Sequence, residues 1–334
     1  MNFVIVGTNF ISDTFLKAAL ITPDFTLYGL CSRKITTANE FLKKYPEDNL
    51  QQTKIFLSIA DVCADNLVDA VYLASPNHLH APQAIMCLNA NIHVLGEKPS
   101  ASNTQELKQI IAAAKRNKCL YMEALMTTLL PNFNVLQTQL PRIGKVRKFL
   151  GQYSQYSSRY EMYLKGDTPN WCRPEYANGA LVDLGIYPLS LITALWGKPT
   201  SILASGIKLA TGVDGAGDLI LTYSSVENAK QAVISYSKIC NGDNISEFQG
   251  ELGRIEIEFV ALLIKITLVL HDGTKEIISK PFDDNAMKFE LQHFISLLKE
   301  GKTESQVNSF EFSKQLLAVM DEARKQIHLV YPAD

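Results

Sequence analysis

Residues 75–99 read SPNHLHAPQAIMCLNANIHVLGEKP and concentrate side chains that could do chemistry. Ser75-Pro76-Asn77 with His80 follows one short apolar run, and Glu97-Lys98-Pro99 follows the next. If both runs are parallel strands, both triplets stand at the edge where open α/β sheets bind ligands. A lysine delivered there, with Pro99 fixing the turn, can place an ammonium beside a reacting oxygen; an ordinary surface lysine in a turn is the competing reading. Nearer the N-terminus, Gly7-Thr8-Asn9-Phe10-Ile11-Ser12 follows the run Phe3–Val6. A dinucleotide loop of form G-x-G-x-x-G uses its glycines for a tight turn, close approach to the pyrophosphate, and helix–strand packing. Only Gly7 is present, with Asn9 and Ser12 in the other two places. Asn tolerates unusual backbone angles, and a helix N-terminus attracts anions whatever its side chains. Gly7, Thr8, Asn9, Phe10 and Ile11 are therefore candidates for holding a pyrophosphate, though a plain strand–helix turn would read the same way.

The end of the second strand bears on which dinucleotide. NAD-binding folds place a carboxylate here for the ribose 2′-hydroxyl. This chain has Cys31-Ser32-Arg33-Lys34 instead. A hydroxyl and two cations suit a 2′-phosphate, because guanidinium offers phosphate a bidentate fork. Ser32, Arg33 and Lys34 thus point to NADP(H) ahead of NAD(H), against the alternative of a solvated Arg-Lys pair starting a helix.

Positioning these groups requires alternating strands and helices. Apolar runs at Phe3–Val6, Thr26–Cys31, Lys54–Phe56, Ala70–Ala74, Ile92–Leu95 and Leu120–Met122 read as strands. Helical patterns lie between them, to Leu20, over Thr36–Tyr45, His80–Asn89 and Thr104–Arg116. Continuous apolar strands joined by helical crossovers predict a doubly wound parallel sheet. From Val146 the pattern changes to strands in succession: Lys148–Tyr156, Ile202–Lys208, Asp218–Tyr223, Gln231–Tyr236, Ile245–Gln249, Arg254–Phe259 and Leu263–Leu270. Turn signals such as Gly215-Ala216-Gly217 and Asp272-Gly273 separate them. Helices are expected over Gly179–Trp196, Met287–Lys299 and Ser309–His328. The fold class is α/β plus α+β: a Rossmann domain over 1–121, then a substrate-binding and oligomerisation domain over 122–334 with a large, mostly antiparallel open sheet.

Composition removes other classes. The 32 Lys+Arg and 34 Asp+Glu give a net charge of −2, so no basic excess exists to neutralise nucleic acid. The longest apolar run towards the C-terminal half, Phe259 to Ile264, falls far short of the ~20 residues of a membrane helix. Met1-Asn2-Phe3 enters an apolar run without a basic n-region, so no secretory signal is expected. Six scattered cysteines without a C-x-x-C pair suit reduced thiols in the cytoplasm. His78-x-His80 has no Cys or carboxylate at ligand spacing, so no metal is expected. No G-x-S-x-G suggests nucleophilic catalysis.

With these residues in view, the sequence resembles the glucose–fructose oxidoreductase / inositol dehydrogenase (Gfo/Idh/MocA) family. The resemblance is carried by Ser75-Pro76-Asn77 with His80, by Glu97-Lys98-Pro99, and by Gly179 to Tyr187 (GALVDLGIY). The tail segments Phe289–Phe294 and Met320–Pro332 are also similar. The resemblance implies that Lys98 is the active-site lysine and that Tyr187 stands where the family has a catalytic His or Tyr. It implies that Asp183 helps hold substrate and that Asn77, Glu97 and Lys98 line the nicotinamide end. Tyr187 with Met122-Glu123-Ala124 looks most like the dimeric dihydrodiol dehydrogenase and D-xylose dehydrogenase branch, which uses NADP. The chain departs from the family in its glycine-poor first loop, and in Asn178-Gly179-Ala180 where a triple glycine is commoner.

Asp183 and Tyr187 are four residues apart and share a helix face. A tyrosine's pKa of about 10 is too high for easy proton transfer at neutral pH, and a nearby ammonium lowers it. The expected scheme has Tyr187 as general acid in reduction and base in oxidation, with Lys98 polarising the oxygen. Trp171 and Arg173, just before this helix, either close over substrate or cofactor or are packing and an ordinary surface cation. The expected function is NADP-dependent interconversion of a secondary alcohol and a carbonyl on a sugar, polyol or cyclic diol, by a homodimer or, less expected, a tetramer, with the outer sheet face as interface. Two alternatives are a non-catalytic dinucleotide- or sugar-binding regulator, and an enzyme that recycles bound cofactor between two substrates.

Overall fold

In the computed structural model, which describes residues 1–46, 50–225, 227–281, 283 and 285–334, the run NFVIV forms β1 (Asn2–Val6) with Phe3, Val4 and Ile5 fully buried. It is followed by α1 (Phe10–Leu20), β2 (Thr26–Cys31), α2 (Ile35–Leu42), β3 (Lys54–Phe56), α3 (Ile59–Cys63), β4 (Ala70–Leu73), α4 (His80–Asn89), β5 (His93–Glu97), α5 (Thr104–Asn117) and β6 (Tyr121–Ala124). The six strands lie in the order β3-β2-β1-β4-β5-β6, all parallel. Strand order reverses between β1 and β4, and the carboxyl ends at such a reversal are where open sheets bind ligands. Every residue of β4 is buried, as expected of a strand covered on both faces. Phe15 of α1 stacks on Tyr72 of β4 with ring centroids 3.6 Å apart.

The chain divides into two compact units, and the division differs from the expected cut after residue 121. The first unit is Met1–Leu125 together with Asp284–Ser313; the second is Met126–Asp283 with Lys314–Asp334. The return is driven by α9 (Met287–Lys299), whose buried Met287, Glu290, Leu291, Phe294 and Ile295 form one stripe at helical spacing. Phe294 meets the Phe3 ring edge-on at 6.1 Å, so α9 completes the core beside β1.

The second unit is built on eight strands: β7 (Val146–Ser154), β8 (Ser201–Lys208), β9 (Asp214–Tyr223), β10 (Lys230–Ser237), β11 (Ile245–Gly250), β12 (Gly253–Glu258), β13 (Lys265–Leu270) and β14 (Lys275–Ile277). Their order is β14-β13-β12-β11-β7-β10-β9-β8. All neighbours are antiparallel except β7 and β10, which are parallel. Three helices accompany them: α6 (Pro131–Gln139), the short α7 (Tyr160–Leu164), and α8 (Ile186–Trp196); α10 (Phe310–Gln326) runs from the end of one unit into the other.

Gly215-Ala216-Gly217 is not a turn. It lies inside β9, where Ala216 and Gly217 pair with β8 on one side and β10 on the other, so ladder bonds on both sides override the local preference of small residues. Asp272-Gly273 does lie between β13 and β14, with Gly273 at φ 91°. Residues Pro174–Trp196 are long and apolar enough to cross a membrane, but the segment is mostly buried, as a core helix is. Among the described residues this segment, rather than Phe259–Ile264, is the long apolar stretch.

Candidate active site

At the carboxyl end of β1 the backbone turns at Gly7, with φ 110° and its N–H on the Cys31 carbonyl at 3.0 Å. A Cβ here would sit 2.8 Å from the Ala74 carbonyl oxygen, so only glycine fits the turn. Asn9 caps α1: its Oδ1 accepts from the Ser12 N–H at 3.0 Å, while its Nδ2 donates to Ala74 O at 2.8 Å. With φ −85° and ψ −175° Asn9 is extended, so its backbone does not require a second glycine. Ser12, in the third glycine's place, is fully buried. Phe10 is 79% exposed beside the first turn of α1, whose N–H groups have no partner within the helix. At the end of β2, Ser32 donates its N–H to Phe56 O, and Arg33 and Lys34 are exposed. A tight turn, a helix N-terminus and two solvent-facing cations without a carboxylate in the sequence between them fit a phosphorylated dinucleotide.

The loops after β4 and β5 are tied together from beneath. His80 is buried, with Nε2 2.8 Å from Ser75 O and Nδ1 2.8 Å from Pro99 O. It therefore sits between the two loops rather than facing the open edge, and a neutral ring donates to one of the two carbonyls. Burial pushes its pKa below the usual histidine range, against the pull of the two carbonyls. Ser75 donates to Gln83 Oε1 at 2.7 Å, Pro76 is exposed and Asn77 half-buried. The Lys98–Pro99 peptide is cis, and Lys98 is half-buried. Around it lie buried carboxyls. Glu97 accepts from the Tyr72 hydroxyl and, at 3.2 Å, from the Lys98 N–H. Glu123 accepts from Ser100 N at 2.8 Å and Ser313 Oγ at 2.6 Å. Burial pushes both carboxyls above the usual range; the Tyr72 hydroxyl for Glu97, and Ser313 and Ser100 for Glu123, offset part of this, with a smaller pull from the Lys98 ammonium. Glu290 of α9 is fully buried, and burial with the nearby Glu97 raises it well above that range.

In the second unit, residues 181–185 form a single π-helical turn that leads into α8. From Gly179 to Thr193 every residue is buried except Asp183 and Tyr187. Two half-open positions four apart in an otherwise buried stretch lie on one face, as the spacing predicts. The stretch starts at Gly179 with φ 156°, where a Cβ would collide with Asp214 Oδ1. Asp214 is fully buried, accepts from the Leu181 N–H at 2.7 Å, and is pushed up by burial to about 6. It receives the start of the helical segment that carries Asp183 and Tyr187. The Tyr187 ring lies 5.6 Å from that of Tyr153, which in turn meets Phe259 edge-on at 5.0 Å. Asp183 is paired with Lys238, whose ammonium also stands 5.4 Å from the Trp171 ring centre.

Comparison with known proteins agrees along the chain. The description "Oxidoreductase family, NAD-binding Rossmann fold" matches residues 1–125, and "GFO/IDH/MocA C-terminal domain" matches 141–256. Over 334 residues the chain is 42% identical to the scyllo-inositol 2-dehydrogenase (NADP(+)) IolU of Bacillus subtilis, covering 100% of this chain and 99% of that protein. The chain belongs to the GFO/IDH/MocA oxidoreductase family. It is also 27% identical to the trans-1,2-dihydrobenzene-1,2-diol dehydrogenase of Xenopus laevis, covering 98% of each. In fold it is similar to the 3-ketoreductase KijD10 of Actinomadura kijaniata, solved with NADP and TDP-benzene: TM-score 0.85, 22% identity, 98% of each chain covered.

Within this GFO/IDH/MocA chain the expected residues fall into distinct settings. Gly7 to Ile11, Ser32 to Lys34 and Ser75 to Asn77 line the ends of β1, β2 and β4, and Glu97 and Lys98 follow at the end of β5. Arg173 is engaged within its own loop, donating to Thr168 O at 2.7 Å and Thr168 Oγ1 at 3.0 Å. Trp171 is buried with Cys172 and Val213, so it packs as well as bordering the Lys238 ammonium. Sequence reasoning missed Glu290 and Lys238. A carboxylate in the apolar stripe of α9 was the available signal for Glu290; a single lysine after a strand carries none.

Proposed function

We propose that the chain is an NADP(H)-dependent dehydrogenase that interconverts a secondary alcohol and a carbonyl on a sugar, polyol or cyclic diol. The observation that carries this is the opening of Asp183 and Tyr187 alone in the buried stretch 179–193, in a chain 42% identical to an NADP-dependent inositol dehydrogenase. Gly7 to Ile11 hold the pyrophosphate on the N-terminus of α1, and Ser32, Arg33 and Lys34 bind the 2′-phosphate. Ser75, Pro76, Asn77, Glu97 and Lys98 border the nicotinamide, and His80 fixes the two loops that carry them. When bound, the cofactor supplies or accepts the hydride.

The chain's own part is proton transfer and charge. In reduction the Tyr187 hydroxyl gives its proton to the substrate oxygen; in oxidation the phenolate takes it back. Lys98 polarises the substrate oxygen. Asp183 accepts hydrogen bonds from substrate hydroxyls. Trp171 and Arg173 serve the substrate side indirectly, by shaping the loop before Gly179. The reaction takes place in the cytoplasm, where the six free thiols stay reduced. The working form is a homodimer joined on the outer face of the eight-stranded sheet, where exposed Leu203 pairs across β8 and β9 with Ile220.

A panel of sugars, polyols and diols, followed by the absorbance of reduced nicotinamide, tests the reading. Turnover of a neutral polyol or diol with NADP is expected. Tight NADPH binding without turnover of any member of the panel overturns it.

A further inference from the structure

The Lys238 ammonium is an enclosed cation beside the proposed substrate residues. Its side chain is 11% exposed, whereas its partner Asp183 is 40% exposed. The backbone fixes it from both sides: its N–H donates to Gly215 O at 2.8 Å, and its carbonyl accepts from Ser157 N at 2.9 Å. Beneath the ammonium lies the Trp171 ring, itself buried against Cys172 and Val213 with Tyr160, Tyr163, Leu209 and Ile239 around them. An enclosed ammonium is costly without a counter-charge, and here one carboxylate and one indole face supply it. In the pair the carboxylate is the outward member and the cation the inward one.

From this arrangement we infer that Lys238 is a specificity-determining positioning residue. It clamps Asp183 Oδ2 from behind and fixes the direction in which the carboxylate meets a substrate hydroxyl. Incoming groups meet carboxylate oxygen first. Neutral polyhydroxylated rings can donate to that oxygen, while a substrate carboxylate or phosphate meets like charge and cannot reach the ammonium. The substrate class narrows to uncharged polyols and sugars, with sugar acids excluded. This rests on the dehydrogenase reading above.

A double-mutant cycle separates the two. Wild type, Lys238→Met, Asp183→Asn and the double variant, each with NADPH bound, are titrated calorimetrically with scyllo-inositol and with glucuronate, and KM and kcat are measured where turnover occurs. Lys238→Met should raise Kd and KM for scyllo-inositol about tenfold with kcat within about threefold, and should shift Kd by less than about twofold in the Asp183→Asn background. Lys238→Arg should restore Kd to within about threefold, and wild type should bind glucuronate at least about tenfold more weakly than scyllo-inositol. Equal losses in both backgrounds, or equal affinity for the two ligands, overturn the inference, as does a wild type that binds no neutral polyol. A wild type that binds scyllo-inositol but oxidises no polyol overturns the dehydrogenase reading instead, and the cycle in Kd still reports on Lys238.

Discussion

The Asn9 side-chain amide donates to the Ala74 carbonyl across 2.8 Å, joining the loop after β1 to the end of β4. The same side chain caps α1 through Ser12. A loop that lacks two of three expected glycines is thus held by one asparagine, whose extended backbone does not need a glycine's freedom.

Asn9→Ala removes both contacts. The loss should be about 1–2 kcal/mol, seen as a drop of about 2–6 °C in Tm. Asn9→Gly restores the family glycine but loses the same contacts, so it should not tighten NADPH in a fluorescence titration. Tighter binding by that variant would show that the cap is a poor substitute for the glycine.

Arg33→Ala tests the coenzyme preference. Arg33 is exposed at the end of β2 with Lys34 beside it, and the sequence there holds no carboxylate. The substitution should weaken NADPH at least tenfold, roughly the worth of one charge-assisted phosphate contact, and NADH less than about threefold. Equal losses for the two coenzymes would refute the 2′-phosphate assignment.

Much of this was legible in the sequence because it is local. Apolar runs broken by helical patterns give the parallel sheet, and the tyrosine four residues after Asp183 gives the shared face. What was not legible depends on distant partners. Gly215-Ala216-Gly217 reads as a turn until strands on both sides claim its backbone. Met287–Lys299 reads as a helix, but its packing, with Phe294 against Phe3 and Lys299 paired with Asp24, places it in the first unit. Lys238 is an ordinary lysine until the fold sets it against Asp183 and Trp171. His80 reads as a residue that caps or packs at the cofactor edge, and its packing partners, the Ser75 and Pro99 carbonyls, are visible only in the fold.

Tyr187→Phe keeps the half-buried ring against Tyr153 and removes only the hydroxyl. If that hydroxyl carries the proton, kcat should fall by roughly 10²–10⁴ with NADPH affinity unchanged. Stopped-flow or steady-state rates beside a fluorescence titration decide it, and an unchanged kcat removes Tyr187 from the mechanism.

Asp214 predicts a pH dependence of stability. Burial raises its carboxyl from the ordinary range near 4 to about 6 in the folded chain. A raised value means that the folded state holds this proton more tightly than the unfolded one. Its contribution is therefore fully present below about pH 4 and is lost as pH rises through about 6. An amide in place of the acid cannot titrate, so the stability of Asp214→Asn relative to wild type should fall by about 2–3 kcal/mol between pH 7 and pH 4. Urea unfolding of both proteins across that range measures the difference directly. A gap that does not change with pH would mean that Asp214 is already ionised beneath Leu181 throughout, its burial offset by the backbone N–H groups that face it.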